Sequence, residues 1–122
     1  MQGLHLTADL SGCDAAHAPM TDAEALRSLC EAAVRDAGLT PVQALFHTFP
    51  QPGGVTGVVL LAESHLAVHT WPELGAVTLD AYVCNLGQDN SARAEALVAA
   101  LIAAFAPAAV DRQRWLRGRA AG

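Results

Sequence analysis

The sequence predicts an α+β domain, a two-layer sandwich in which two helices pack on one face of a mostly antiparallel sheet. Three observations lead to this fold class. Apolar residues make up 52% of the 122 residues and charged residues 16%, so there is enough apolar surface for a core. Extended runs fill the middle of the chain, and segments with helical spacing lie on either side of it. The length suits a single domain, residues 1–122.

The first two elements are a strand and a helix. Apolar residues alternate with polar ones near the N-terminus, as in a half-buried strand, at Leu4, Leu6, Ala8 and Leu10. Thr21 and Glu24 have the spacing of a capping box, which predicts a helix beginning after Thr21. Apolar residues follow at helical intervals, and Gly38 is typical of the position just past a helix end.

The middle of the chain predicts an antiparallel meander, followed by a second helix. Its extended runs are bounded by proline and glycine and cover residues 42–49, 55–61, 65–71 and 76–84. The second helix follows Asp89-Asn90-Ser91, carries one apolar stripe and ends before Pro107. The tail, residues 108–116, suggests one edge strand. Written as an order of elements, the prediction is β-α-β-β-β-α-(β), and the uncovered sheet face leads us to expect a partner subunit.

Composition argues against several classes of function. A net charge of −5 is unsuited to binding nucleic acid, and four arginines near the C-terminus are interpreted as a solvated polar end: Arg112, Arg114, Arg117 and Arg119. No apolar run is long enough to span a membrane, and the N-terminus lacks the pattern of a signal peptide. The three cysteines, sparse and odd in number, indicate reduced thiols. We therefore expect a cytoplasmic protein without a membrane partner.

The chain contains no lysine, since every basic residue is arginine. Chemistry that needs a protein amine to form a Schiff base is therefore closed to it, and this includes pyridoxal phosphate held on a lysine. A reaction that depends on a carbonyl must obtain that carbonyl in another way.

Residues 62–73, AESHLAVHTWPE, place polar groups in an otherwise apolar region. His65 and His69 share a face of a strand, so two metal ligands could converge, but no third ligand is evident. A hydrolase triad of Ser64, His69 and Asp80 is a second interpretation. It lacks the Gly-x-Ser-x-Gly turn that exposes such a nucleophile.

A third interpretation is that Ser64 attacks its own backbone. Its hydroxyl, held in a tight turn against the carbonyl of Glu63, would convert the amide to an ester. Base-assisted β-elimination would then cut the chain and leave a dehydroalanine that hydrolyses to a terminal pyruvoyl group. The reaction needs a strained turn, a donor for the oxyanion and a base for the α-proton. His69 and Thr56 are candidates for these roles.

Several motifs in this order carry a family resemblance: Gly12-Cys13-Asp14, Phe46-His47-x-Phe49, Gly54 to Val59, Glu63-Ser64-His65 with His69-Thr70-Trp71-Pro72-Glu73, and Asp80 to Cys84. The chain resembles the short prokaryotic form of the S-adenosylmethionine decarboxylase proenzyme, a pyruvoyl-dependent family. The resemblance implies a lyase that forms decarboxylated S-adenosylmethionine for spermidine and polyamine synthesis. It also implies a homodimer in which both protomers line each active site, with neither metal nor pyridoxal phosphate.

Roles for individual residues follow from this resemblance. Cleavage is expected between Glu63 and Ser64, which gives a beta chain of residues 1–63 and an alpha chain of residues 64–122. Ser64 would become the pyruvoyl group that forms a Schiff base with the substrate. The remaining implied roles are processing base (His69), processing assistant (Thr56, where the family commonly has serine), catalytic proton donor (Cys84), adenine stacking (Phe49) and substrate contact (Glu73).

Two alternatives stay open at this point. The same scaffold includes pyruvoyl-dependent decarboxylases of arginine or ornithine, and a family member that has lost processing would act only as a non-catalytic partner. Two departures from the family pattern bear on the choice. One residue is added around Pro50-Gln51-Pro52, and Asn85 stands where the family has glycine after the cysteine.

Overall fold

The computed structural model describes residues 2–51, 53–85 and 87–118. In those residues it forms an α+β sandwich of one antiparallel sheet and two α-helices, which confirms the predicted fold class. The elements are β1 (Gly3–Ser11), α1 (Ala23–Asp36), β2 (Pro41–Thr48), β3 (Val55–Leu61), β4 (Ser64–Trp71), β5 (Ala76–Cys84), α2 (Ser91–Phe105) and β6 (Ala109–Arg117). Across the described ranges, neither helix has the length and apolar character needed to cross a membrane.

Four strands lie between the two helices, so the predicted order β-α-β-β-β-α-(β) was one strand short. Each of the four extended runs pairs with a neighbour. Strands β3, β4 and β5 alternate buried with more exposed side chains, as expected for a sheet covered on one face. The tail does form a strand, β6, which pairs antiparallel with β1 at the edge of the sheet.

The strand order is β2-β3-β4-β5-β1-β6, and every neighbouring pair is antiparallel. Strands β2 to β5 follow one another as a meander. The first strand then pairs with β5, and α2 carries the chain from the end of β5 to β6 on the other side of β1.

Both helices cover the same face of the sheet. Helix α1 packs on β2 and β3, and α2 packs on β1 and β5. The strand residues of that face are buried and form the core with the helices; they include Leu4, Leu6, Leu10, Val55, Val59, Leu66, Val68, Val77, Leu79 and Val83. The opposite face, which we call the outer face, carries the alternate residues and is covered by no described helix. Its exposed apolar side chains include Leu45, Leu60 and Trp115.

The N-terminus of α1 is capped one residue later than the sequence predicted. Asp22, not Thr21, is the cap, and its carboxylate accepts hydrogen bonds from the backbone N–H groups of Glu24 (3.0 Å) and Ala25 (3.5 Å). A carboxylate also suits the positive end of the helix dipole. The predicted end is confirmed, because Gly38 follows the helix with φ +84°, a conformation that favours glycine.

The basic residues of the tail lie largely against the fold. Arg112 and Arg114 form ion pairs with Glu95 of α2 at 3.1 and 3.5 Å, and the guanidinium of Arg117 lies over the Tyr82 ring. These contacts tie β6 to its neighbours, so the three arginines do not form a separate basic patch. Arg119 lies outside the described residues.

Gly57 of β3 and Phe46 of β2 are cross-strand partners on the helix-facing side of the sheet. The Phe46 ring lies directly over Gly57, and a Cβ added to the glycine would overlap that ring. The aromatic ring thus fills the space above the glycine and packs against the core.

We expect Gly57→Ala to lower the free energy of unfolding by about 1–3 kcal/mol, because the added methyl group must displace the Phe46 ring. Urea denaturation of the wild-type protein and the variant would measure this. The control is the same substitution in a Phe46→Leu background, where the cost should be smaller. An equal cost in both backgrounds would contradict the contact as the cause.

Candidate active site

The β3–β4 hairpin closes through a two-residue turn, Ala62-Glu63, with Leu61 and Ser64 as the last paired residues. Ser64 has φ +153°, which is unusual for a residue with a side chain. Such a conformation stores strain that the surrounding structure must hold in place. The predicted cleavage bond, Glu63–Ser64, therefore lies in a strained turn.

Glu63 is held by both its backbone and its side chain. Its carbonyl oxygen accepts a hydrogen bond from the backbone N–H of Cys84 at 2.8 Å. Its carboxylate accepts hydrogen bonds from the backbone N–H and the hydroxyl of Thr40, at 3.1 and 3.2 Å. The carbonyl of the predicted cleavage bond is thus fixed, and a backbone donor points at the oxygen that would become an oxyanion.

Among the cysteines, Cys84 alone lies at the turn, at the end of β5, and it is half-buried. Cys13 and Cys30 are buried in the core. Burial raises the pKa of the Cys30 thiol to about 12, with a further rise from the neighbouring Glu31 carboxylate, and burial also raises the pKa of Cys13. These two thiols are therefore protonated and inert at neutral pH, as is typical of cysteines that pack in a core.

A second group of predicted site residues gathers at the other end of β3 and β4. The Thr56 hydroxyl and His69 Nδ1 lie 3.2 Å apart, as cross-strand partners on the outer face. Beside them is a cavity of about 280 Å³, lined by Phe49, Pro50, Gly54, Thr56, Thr70, Trp71 and Glu73. The structure therefore brings four predicted residues together here: Phe49, Thr56, His69 and Glu73.

Sequence reasoning gave no role to Thr70, which supports this cavity. Thr70 is buried, and its hydroxyl accepts a hydrogen bond from the Val55 N–H at 2.8 Å while donating one to the Met20 carbonyl at 2.8 Å. These bonds tie the end of β4 to the start of β3 and to the loop before α1. The sequence signal for this role was a polar residue at a strand position whose alternate neighbours face the core.

The two groups of residues do not meet within one chain. Ser64 begins β4 and His69 lies five residues along it, which is about 16 Å at about 3.3 Å per residue. The hydrolase interpretation is therefore wrong for a single chain, because Ser64, His69 and Asp80 do not converge. Asp80 instead contacts two other histidines.

The sequence analysis also missed a cluster on the outer face near the cleavage turn. One carboxylate oxygen of Asp80, Oδ2, lies 3.0 Å from His5 Nε2 and 3.2 Å from His65 Nε2. His65 Nδ1 faces the Ser64 hydroxyl oxygen at 3.5 Å, and His5 Nδ1 accepts a hydrogen bond from Arg117 at 3.2 Å. Only the register of β4, β5 and β1 brings these residues together. A polar residue at an alternate position in each strand was the one hint of it.

The metal interpretation changes with this geometry. His65 and His69 share a face but lie about 13 Å apart along an extended strand, so they cannot chelate one ion. Within the part of the chain that the structure describes, His5, His65 and Asp80 have ligand atoms that lie within 4.8 Å of one another. In the structure their polar atoms are satisfied by hydrogen bonds to one another and to neighbouring residues.

Asn85, the departure from the family pattern after Cys84, has a structural role. Its side-chain oxygen accepts a hydrogen bond from the Asn90 N–H at 2.8 Å, and its side-chain nitrogen donates to the Ser91 hydroxyl at 3.2 Å. It therefore fastens the end of β5 to the start of α2, next to Cys84.

Comparison with known proteins identifies the family of the chain. A family model described as S-adenosylmethionine decarboxylase matches residues 4–118. An S-adenosylmethionine decarboxylase proenzyme of Aquifex aeolicus is 42% identical over 95% of this chain and 81% of the relative, and one of Picrophilus torridus is 40% identical over 95% and 84%.

A solved structure leads to the same family. The crystal structure of the adenosylmethionine decarboxylase from Aquifex aeolicus superimposes with a TM-score of 0.87 at 40% sequence identity, covering 98% of this chain and 92% of the other. At this identity and coverage, the fold agrees along nearly the whole chain. The chain therefore belongs to the S-adenosylmethionine decarboxylase family.

Proposed function

We propose that this chain is the proenzyme of a pyruvoyl-dependent decarboxylase that acts on S-adenosylmethionine. The observation that carries the proposal is the geometry of the cleavage turn, in which Ser64 is strained and the Glu63 carbonyl accepts the Cys84 N–H. The names of the relatives support both parts, since they are called proenzymes and decarboxylases of S-adenosylmethionine. The cytoplasmic location expected from the sparse cysteines stays a prediction.

Self-cleavage would begin when the Ser64 hydroxyl attacks the Glu63 carbonyl carbon. The negative charge that develops on the carbonyl oxygen is stabilised by the Cys84 N–H, and the strain at Ser64 is relieved as the amide becomes an ester. His69 then removes the Ser64 α-proton, and the Cβ–O bond breaks to leave a Glu63 carboxylate and a dehydroalanine. Water then hydrolyses the dehydroalanine, its nitrogen leaves as ammonia, and a pyruvoyl group remains.

We infer that this site is completed by a second copy of the chain. His69 and its partner Thr56 lie about 16 Å from Ser64 of the same chain, too far to remove its α-proton. The outer face offers a surface for pairing, because Leu45 and Trp115 are 73% and 48% exposed on it. A second copy laid on this face with its strands reversed would bring its His69 to the first copy's Ser64.

The cavity at the His69 end is suited to S-adenosylmethionine. Phe49 and Trp71 offer aromatic surface for stacking on adenine and for contact with the positive sulfonium. The negative Glu73 carboxylate complements the same positive charge. Arginine and ornithine would use the negative charge of Glu73, but they have no aromatic base to stack on Phe49 and Trp71. The pairing inferred above would place this cavity beside the partner's Ser64.

Cys84 is assigned as the proton donor in the decarboxylation itself. Once formed, the pyruvoyl carbonyl supplies the electron sink that takes up the pair released with carbon dioxide. A proton must then reach the substrate carbon. The Cys84 thiol is the candidate donor, because the backbone N–H of the same residue donates to the Glu63 carbonyl at the cleavage bond. Cysteine is among the side chains that can act as a general acid in such a step.

Ser64→Ala should remain a full-length chain, because it lacks the attacking hydroxyl. Denaturing mass spectrometry of the wild-type protein should show two fragments, residues 1–63 and 64–122, the second blocked by a pyruvoyl group. Carbon dioxide should be released from S-adenosylmethionine by the wild type alone.

Arginine and ornithine serve as comparison substrates in that assay. Brisk release from either, with none from S-adenosylmethionine, would contradict the substrate assignment. A wild-type chain that stays intact on long incubation would favour the non-catalytic partner instead.

Two inactive chains should complement each other if the site is shared. Neither Ser64→Ala nor His69→Ala should cleave alone. In co-expressed mixtures the His69→Ala chain should be cut, because the partner supplies His69 to its intact Ser64. Mass spectrometry distinguishes the two chains by mass. Mixed dimers that form but show no cutting would contradict the shared site.

Cys84→Ala should affect decarboxylation without affecting self-cleavage. Self-cleavage should continue, because the backbone N–H that holds the Glu63 carbonyl is unchanged. Decarboxylation by the cleaved enzyme should fall by about 100-fold or more, since the positioned acid is lost. Cys30→Ala is the matched control and should keep its turnover. A cleaved Cys84→Ala enzyme with normal turnover would remove Cys84 from the catalytic step.

A further inference from the structure

The Ser64 hydroxyl is a poor nucleophile until a base takes its proton, and none of the roles assigned above supplies that base. His69 lies too far along β4 within the same chain, and its assigned step is the later removal of the α-proton. The imidazole of the next residue, His65, is a titratable group that faces the hydroxyl. Its Nδ1 lies 3.5 Å from the Ser64 hydroxyl oxygen.

The contacts of His65 determine which of its nitrogens can accept a proton. An ionised carboxylate only accepts hydrogen bonds, so Nε2 of His65 must carry the hydrogen that it shares with Asp80 at 3.2 Å. In the neutral ring the lone pair is then on Nδ1, the nitrogen that faces Ser64. Asp80 thereby selects the tautomer in which His65 can act as a base.

Asp80 is itself held from the other side. His5 Nε2 lies 3.0 Å from the same carboxylate oxygen, and His5 Nδ1 accepts a hydrogen bond from Arg117. The Arg117 guanidinium is always a donor, so the His5 hydrogen must also be on Nε2 and point to Asp80. In the chain of contacts between Arg117 and Ser64, every N–H or O–H donor therefore faces an acceptor.

We propose that His65 is the catalytic base that starts self-cleavage, with Asp80 and His5 as positioning residues behind it. The inference rests on the proposed function, because it assigns the first step of the same reaction. The Ser64 Oγ–H proton passes to His65 Nδ1 as Oγ bonds to the Glu63 carbonyl carbon. The Glu63–Ser64 C–N bond then breaks, its electron pair goes to the Ser64 nitrogen, and that nitrogen takes the proton back from His65.

The order of steps gives a test that a structural role would not satisfy. A chain without His69 should stop after the ester has formed, and a chain without His65 should stop before it. Hydroxylamine attacks esters much faster than amides, so it cuts only a chain that contains the ester. Each variant would be made in cell-free synthesis, and the fragments would be followed over time by denaturing mass spectrometry with and without hydroxylamine.

We expect the cleavage rate of His65→Ala to fall about 100-fold or more, and that of Asp80→Asn by a smaller factor, since a lost general base costs rates of this order. Hydroxylamine should release fragments from His69→Ala but none from His65→Ala. Added imidazole should restore part of the His65→Ala rate by entering the vacated space. His17→Ala, which removes an exposed histidine away from the turn, is the control and should cut normally.

Wild-type rates in His65→Ala, or an ester detected by hydroxylamine in that variant, would overturn the inference while leaving the proposed function intact. An uncut wild-type chain would instead defeat the proposed function. If His65→Ala loses its thermal unfolding transition, His65→Gln takes its place. It should fold, stay uncut and yield no fragments with hydroxylamine.

Discussion

One backbone hydrogen bond, from the Cys84 N–H to the Glu63 carbonyl oxygen, is the contact on which the proposed chemistry of this protein depends. It exists only because β5 ends beside the β3–β4 turn, in the register that pairs Ser64 with Val83. That register is fixed by the core, since a slip of one residue would expose every buried side chain of β5. Apolar packing on one face of the sheet thus places a polar donor at the cleavage bond.

The stiffness of an extended strand explains why the remaining groups lie elsewhere. Ser64 and His69 are close in sequence, but β4 holds them at its opposite ends. The cavity near Phe49 and Glu73 shares the His69 end, while the thiol of Cys84 shares the Ser64 end. Cleavage geometry and substrate geometry are therefore divided between the two ends of β4, and the pairing of chains proposed above would unite them.

The sequence was sufficient for features that depend on local pattern. Strand alternation and helical spacing predicted the sandwich and the end of α1 at Gly38, while the cap at Asp22 was missed because two neighbouring residues have capping side chains. The motifs indicated candidate chemical groups at each end of β4, and the roles of these groups stay predictions. Their spatial separation and the His5–His65–Asp80 cluster depend on long-range register, which no single stretch of sequence contains.

The strand order also determines what becomes of the protein after the cut. Residues 1–63 contain β1, β2 and β3, and residues 64–118 contain β4, β5 and β6. Because β1 lies between β5 and β6, and β4 remains paired with β3, the strands of the two pieces are interwoven in one sheet. Neither piece can leave without tearing rows of backbone hydrogen bonds. The severed molecule should therefore persist as a single body, and its new chain end stays anchored where the turn used to be.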